Sequence, residues 1–489
     1  MPFSKSPSQS TYQTKVIKLM KEVDTRNATP NLNDEDYVNV YFETVKNRLT
    51  GENDQYIIKR AGTSTYSTPG IYTNIRGMYF WEDQQRVYIA LGRDLLYYDL
   101  TTDTIGATYT NFFAGSVTQV GFTEFLYDTN MVTLITLDGT TLKEITSAGV
   151  ITTCVDADFP TPHDPNPVFL DGYIFILKTG TADVYNSDLN NPQSWTPGNF
   201  LTAEMSPDVC NKIAKLNNYM VIFGSNSIEY FWDAANATGS PLRRNDTPFK
   251  NTGYLGGLAA YGNKLYFIGN ENESEPAVYM LEDFKIQKIS TEAVSRYLSS
   301  LTVPYTNYRL CILSFSGHIF LALNAGSITP VMEMETKLWT RWDWKDAGVG
   351  LTNLFSVNIK TSNSYKTILS LSGTGQLYQM LPTIYQDAGV NFTCTMTTPA
   401  NEFETMNRKN WHRLTIWCDR PRSDSLMSVS WTDNDWISFS NPLTVNLNQD
   451  IPCIYRLGQA RQRAFKFTYT DNFAMRVKQV EVDVNMMGT

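Results

Sequence analysis

Hydrophobic and polar positions alternate with a period of two along most of this chain, in short runs broken by small polar residues. Residues 219–233 show the unit most clearly. Tyr219-Met220-Val221-Ile222-Phe223 is apolar on both faces, as a strand between two layers must be. Gly224, Ser225, Asn226 and Ser227 supply turn chemistry. In the run that follows, Ile228, Tyr230 and Trp232 share one face and Glu229 and Asp233 the other. The pattern predicts a hairpin inside a larger all-β body.

Similar strand-turn-strand units recur. They lie at 86–91 with 95–99, 132–137 with 140–145, 173–177 with 183–185, 265–268 with 278–281, 319–323 with 331–335, and 367–371 with 376–380. Asp138-Gly139 in the second of these is a two-residue hairpin signal. Anchored at Tyr88, Leu134, Phe175, Val221, Tyr266, Phe320 and Ile368, the spacings are 46, 41, 46, 45, 54 and 48 residues. Such a period, with several short strands per repeat, marks a β-propeller. One four-stranded sheet cannot bury both faces by itself, so blades pack face to face in a ring. The count is seven over residues 51–385. Six or eight blades also fit, and so does a series of unrelated hairpins in two sandwiches.

Beyond Leu381-Pro382 the period is lost. Alternating runs at 391–396, 413–418, 427–431, 442–447, 464–469 and 476–484 predict a C-terminal β-sandwich over 386–489. Residues 1–50 read as an extended N-terminal arm and a joining strand. The arm is polar to Asp36, with a short helix over 12–21. Tyr37 to Glu43 forms the strand, with Val38, Val40 and Phe42 on one face and Asn39 and Glu43 on the other. A turn or two of helix, capped by Ser290 and reaching Leu298, interrupts the blades.

Composition narrows the function. Of 489 residues 42% are hydrophobic and 18% charged, which is globular, and 13% aromatic content favours strands. Proteins that grip DNA through phosphates are normally basic. A net charge of −9 therefore argues against a high-affinity clamp, while suiting a surface that DNA passes without sticking. The six cysteines (Cys154, Cys210, Cys311, Cys394, Cys418, Cys453) form no CxxC pair and read as free thiols made in a reducing compartment. The polar N-terminus lacks a signal-peptide core, and no run of about 18 apolar residues exists, so no membrane insertion is expected.

Candidate chemistry is sparse. His163, His318 and His412 lie in three regions, with no HExxH or Cys/His cluster for zinc. There is no GxSxG elbow and no P-loop; Gly373 and Gly375 join two strands as a hairpin turn. Asp188, before Ser194-Trp195, has the look of the Asp-turn in sialidase blades, where the Asp holds a turn. Asp156 with Asp158, and Asp433 with Asp435, lack the spacing of a calcium loop. Arg456, Arg461, Arg463 and Lys466 fit a solvated strand edge guarded by charge better than a contact for DNA or an acidic partner, and Trp339, Trp342 and Trp344 fit blade core better than a sugar platform. No catalytic, cofactor-binding or metal-binding residue is assigned, and no cofactor is expected.

Three segments carry a family likeness: Ser187-Asp188-Leu189 to Ser194-Trp195, Ala203-Glu204-Met205-Ser206-Pro207-Asp208, and Phe223 to Tyr230. With Asn39-Val40-Tyr41 and Glu43, Thr68-Pro69-Gly70, Arg76-Gly77-Met78, Lys288 to Thr291 and Tyr455-Arg456-Leu457-Gly458, the chain resembles the packaged-DNA stabilization proteins of short-tailed bacteriophages. These are also called tail nozzle or tail accessory proteins. The arm before Asn39 departs from the family pattern in being longer. The resemblance implies a structural virion protein without enzymatic activity, made in the host bacterial cytoplasm. Its expected partners are further copies of itself, typically six in a ring, the portal and adaptor proteins above, and the tail needle, fibres or spikes below. Double-stranded DNA would pass through the channel without sequence-specific binding. Two other classes stand beside it: a propeller glycosidase or depolymerase acting on cell-surface polysaccharide, which needs facing carboxylates and an Arg cluster at one mouth, and a monomeric protein-binding propeller.

Overall fold

The computed structural model describes residues 12–17, 19, 36–46, 51, 53–67, 75–116, 119–236, 238–245, 251–272, 274–326, 328–346, 349–351, 353–361, 365–371, 375–434 and 436–487. Contacts divide the chain into two compact units. One comprises Met1–Ser64, Val331–Gly350 and Leu381–Thr489, the other Thr65–Pro330 and Leu351–Met380. Residues 51–64, 331–350 and 381–385, read as propeller in the sequence, are thus grouped with the C-terminal region.

The second unit is a propeller of seven blades. Its inner strands are Ile75–Trp81, Gly121–Leu126, Val168–Leu170, Cys210–Leu216, Thr252–Tyr261, Arg309–Phe315 and Asn353–Lys360. Each touches the next and the last touches the first, which closes the ring. The first five blades are four-stranded antiparallel sheets in chain order. The seventh sheet adds the early strand Gly62–Ser67 beside Leu377–Leu381, so the beginning of the propeller sequence completes its last blade.

Blade packing explains why the strands are apolar on both faces. In the fourth blade Met220, Ile222 and Phe231 pack against Val168, Phe175 and Val184 of the third. Val221, Phe223, Ile228 and Tyr230 pack the other way, on Tyr254, Leu265 and Phe267 of the fifth. The hairpin forms as expected, Tyr219–Gly224 with Ile228–Asp233. On its polar face Glu229 is nonetheless buried and Asp233 half-buried, and Trp232, assigned to the apolar face, is 41% exposed at the strand end. At two points neighbouring segments approach the inner strands too closely for a side chain. A Cβ on Gly121 would stand 1.7 Å from the Pro165 carbonyl oxygen, and one on Gly77 2.3 Å from that of Val120.

Two local expectations are corrected. The turn after Leu137 runs to Thr141, because the Asp138 carboxylate accepts from the backbone N–H of Thr140 and Thr141 and so stabilises a longer loop. The helix spans Glu292–Ser300 and is capped by Thr291, whose hydroxyl accepts from the Val294 N–H. The Ser290 hydroxyl instead accepts from the Val278 N–H of the fifth blade.

In the first unit, Val40–Lys46, Asn53–Lys59, Arg476–Met486, Lys409–Cys418 and Cys453–Ala460 form one sheet, with Gln13–Val16 also paired to Arg476–Met486. Trp339–Trp342, Asp36–Val38, Cys394–Thr397, Ala464–Tyr469, Leu426–Thr432 and Leu443–Asn446 lie side by side in the facing sheet. Trp411, Ile416, Phe465, Phe467, Val480 and Val482 fill the core of this sandwich. The helix expected over 12–21 is a strand at Gln13–Val16, where pairing to a sheet edge outweighs a weak helical pattern; residues 18, 20 and 21 lie outside the described ones. The strand expected from Tyr37 to Glu43 is broken at Asn39, whose φ of 59° turns the chain from one sheet into the other. Trp342 and Trp344 are buried, and both fall within the unit that holds the sandwich. All six cysteines are free thiols. No helix among the described residues is long and apolar enough to cross a membrane.

Candidate functional site

The segments that carry the family likeness converge on one construction in blades three and four. The Asp188 carboxylate accepts from the Ser194 hydroxyl (2.7 Å), the Thr196 hydroxyl (2.9 Å) and the Asn199 amide (3.1 Å). It holds a turn, as the sequence predicts. Asp156 accepts from the Trp195 backbone N–H at 3.0 Å and from the Asp158 N–H at 2.9 Å, while the Trp195 indole N–H donates to the Pro192 carbonyl at 3.1 Å.

The connection from blade three to blade four, residues 203–209, is held from both ends. Asp208 accepts from the Asn226 N–H (2.7 Å) and the Ser227 hydroxyl (2.9 Å). The buried Glu229 accepts from the Met205 N–H and pairs with Arg244, each at 3.0 Å. Burial pushes the Glu229 carboxyl up, and these two contacts pull it back. Glu204, Met205, Pro207 and Val209 are left exposed on a loop pinned at Met205 and Asp208. Each of these carboxylates is engaged by a turn, so the arrangement suits presenting a surface rather than transferring protons. The glycosidase reading requires two facing carboxylates free to act.

The remaining candidates do not gather. His163 is buried with Nδ1 2.9 Å from the Pro160 oxygen, and burial lowers its pKa. His318 begins a strand, while the His412 ring stacks on Tyr12 at 4.6 Å. No group of three or more His, Cys, Asp or Glu able to hold a metal occurs among the described residues. In the basic stretch Arg456 and Arg461 are exposed, as expected of an edge. Arg463 is not: it is buried between Trp411 and Trp431 and makes a two-point ion pair with Asp433 at 2.7 and 2.8 Å. Gly373, Asp435 and Thr68-Pro69-Gly70 lie outside the described residues.

Sequence reasoning missed the strongest polar feature of the sandwich unit. Arg60 and Asp387, both fully buried, pair through two contacts of 2.9 and 2.5 Å. Arg60 also donates to the Asn39 side chain (2.9 Å), the Ala61 carbonyl (2.9 Å) and the Asp343 carbonyl (2.7 Å). Phe392 and Trp344 cover its face. Four separate chain segments therefore meet on one guanidinium. Next to it, Lys59 is buried under Phe392 and Tyr469 and donates to the Asp471 carbonyl; burial lowers its pKa to about 8. Two adjacent cations closing an apolar strand are the only trace of this in the sequence.

A family model described as "Bacteriophage P22 Gp10, beta-propeller" matches residues 18–340, more than half of the chain. Among solved structures, streptogramin B lyase aligns with 10% identity and a TM-score of 0.41, over 70% of this chain and 98% of that one. Selenomethionine-substituted virginiamycin B lyase from Staphylococcus aureus aligns with 9% identity and a TM-score of 0.43, over 67% and 99%. The β-propeller domain of Myceliophteria thermophila Cps50 (Swd1) aligns with 8% identity and a TM-score of 0.42, over 65% and 99%. A search of curated proteins finds no match.

Proposed function

The chain belongs to the bacteriophage family described as P22 Gp10, beta-propeller, a family of phage stabilisation proteins, and from that premise we propose that it is a nozzle of the virion tail. Copies of it, six in number, form a ring below the portal and adaptor that extends the DNA exit channel. The ring retains the packaged genome and seats the needle, fibres or spikes. Its role is mechanical: the closed ring blocks the exit until rearrangement at the host opens it. No reaction is catalysed.

The family match over residues 18–340 carries this reading. Two features of the structure support it. The carboxylates around blades three and four hold turns, and the sandwich gathers strands from both ends of the chain into one body suited to a shared ring. A closed ring requires two different patches on each chain to match. The arm and sandwich form the ring body nearest the adaptor, with propellers outward and a lumen of acidic or mixed charge. Negative-stain images of purified particles carrying labelled protein test this. Propellers lining the adaptor contact, a lumen belted by Lys and Arg, or label absent from the tail would each reject it.

A further inference from the structure

At the propeller axis, inner strands of separated blades line an open cavity of about 300 Å³, with Asn358 exposed at its edge. Gln119 enters it ahead of the second blade, Leu258 from the fifth, Arg309 from the sixth, and Phe355, Ser356 and Asn358 from the seventh. Blades two and five are not neighbours, so only the axis brings them to one space. No acidic residue lines it.

Arg309 is the unexplained member. Its Nη1 donates to the carbonyls of Thr306 (2.6 Å) and Tyr308 (2.8 Å). Among the described residues Nε and Nη2 have no hydrogen-bond acceptor. Burial holds this guanidinium below its usual pKa, and the groups that oppose the shift are Tyr254 and Cys311, not a carboxylate. The guanidinium is half-buried and its free N–H groups open into the cavity, where a partly desolvated cation without a counter-charge is a ready partner for an anion. Nearby, the Gln119 amide has no protein partner among the described residues, and Asn358 uses one amide N–H on the Ile312 carbonyl. The cavity thus collects spare donors, walled by Leu258 and Phe355.

We propose that this axial cavity binds a compact oxyanion, a phosphate or carboxylate group, held by Arg309 together with the amides of Gln119 and Asn358. The space admits a group of that size and excludes a nucleic-acid duplex. Bound there, the anion neutralises the guanidinium and braces blades two, six and seven across the ring, independently of the role proposed for the tail.

The test is isothermal titration of the full chain with inorganic phosphate and, separately, with acetate, at fixed ionic strength. A saturable isotherm in either arm is expected, and the arm that responds tells phosphate from carboxylate. Arg309→Gln should abolish it. Gln119→Ala, which breaks no internal hydrogen bond, should weaken it roughly tenfold, as the loss of one bond to a charged group does. Flat titrations in both arms overturn the proposal, as does binding that Arg309→Gln leaves unchanged. If Arg309→Gln does not fold, Gln119→Ala decides: affinity equal to that of the unmodified chain overturns the proposal.

Discussion

Breaking the Arg60–Asp387 pair should unfold the sandwich unit far more readily than removing it altogether. Both side chains are fully buried, and the guanidinium makes five hydrogen bonds, two of them to the carboxylate. Asp387→Asn keeps the shape but leaves a positive charge with no counter-charge in a dry site, which costs about 3–5 kcal/mol. Arg60→Met strands the carboxylate and the oxygens of Asn39, Ala61 and Asp343, and should cost at least as much. In the double variant Arg60→Met/Asp387→Asn neither charge of the pair remains, so its loss should be no larger than either single one. The two effects would then fall short of additivity by about 2 kcal/mol or more. Urea unfolding followed by tryptophan fluorescence reports on this unit, since it holds seven of the ten tryptophans. Single variants within about 1 kcal/mol of the unmodified chain, or strictly additive losses, would refute the reasoning.

Three further outcomes are expected. The unfolded chain keeps the Lys59 proton to about pH 10.5 and the folded chain releases it above about 8, so the unfolded state binds more protons between those values and stability rises with pH across them. Lys59→Met should remove that rise and add about 1–3 kcal/mol at pH 7, since a tenfold change in proton affinity is worth about 1.4 kcal/mol; denaturation curves of both proteins from pH 7 to 10 check it. Glu229→Ala takes away the acceptor that holds Met205, so limited proteolysis should cut at residues 203–209 much faster, with a stability loss of about 1–3 kcal/mol. Glu229→Gln keeps that acceptor and should resist cleavage. Gly121→Ala drives a methyl into the Pro165 carbonyl, which no rotamer relieves, and should lower the melting temperature of the propeller by calorimetry, at a cost of about 3 kcal/mol or more.

The seven-fold repeat is legible because each blade is a local object. Its strands follow one another in the chain, so a spacing near 46 residues and two-sided apolar runs such as 219–223 are enough to announce it. The turn carboxylates are legible for the same reason: Asp188 finds all three of its donors within eleven residues. Trp232 and the Ser290 cap depart from the local pattern, because a strand end and a neighbouring strand set their environment.

The sandwich and the axial cavity are different. Arg60 meets a carboxylate 327 positions away, and nothing near either residue announces the other. Arg309, Gln119 and Asn358 likewise converge only once the ring has closed. Periodicity along the chain determined the all-β architecture and its blades, because hydrogen-bonded neighbours in a blade are neighbours in sequence. The tertiary structure decided which charges are buried and what they face, because those pairings depend on segments that only folding brings together.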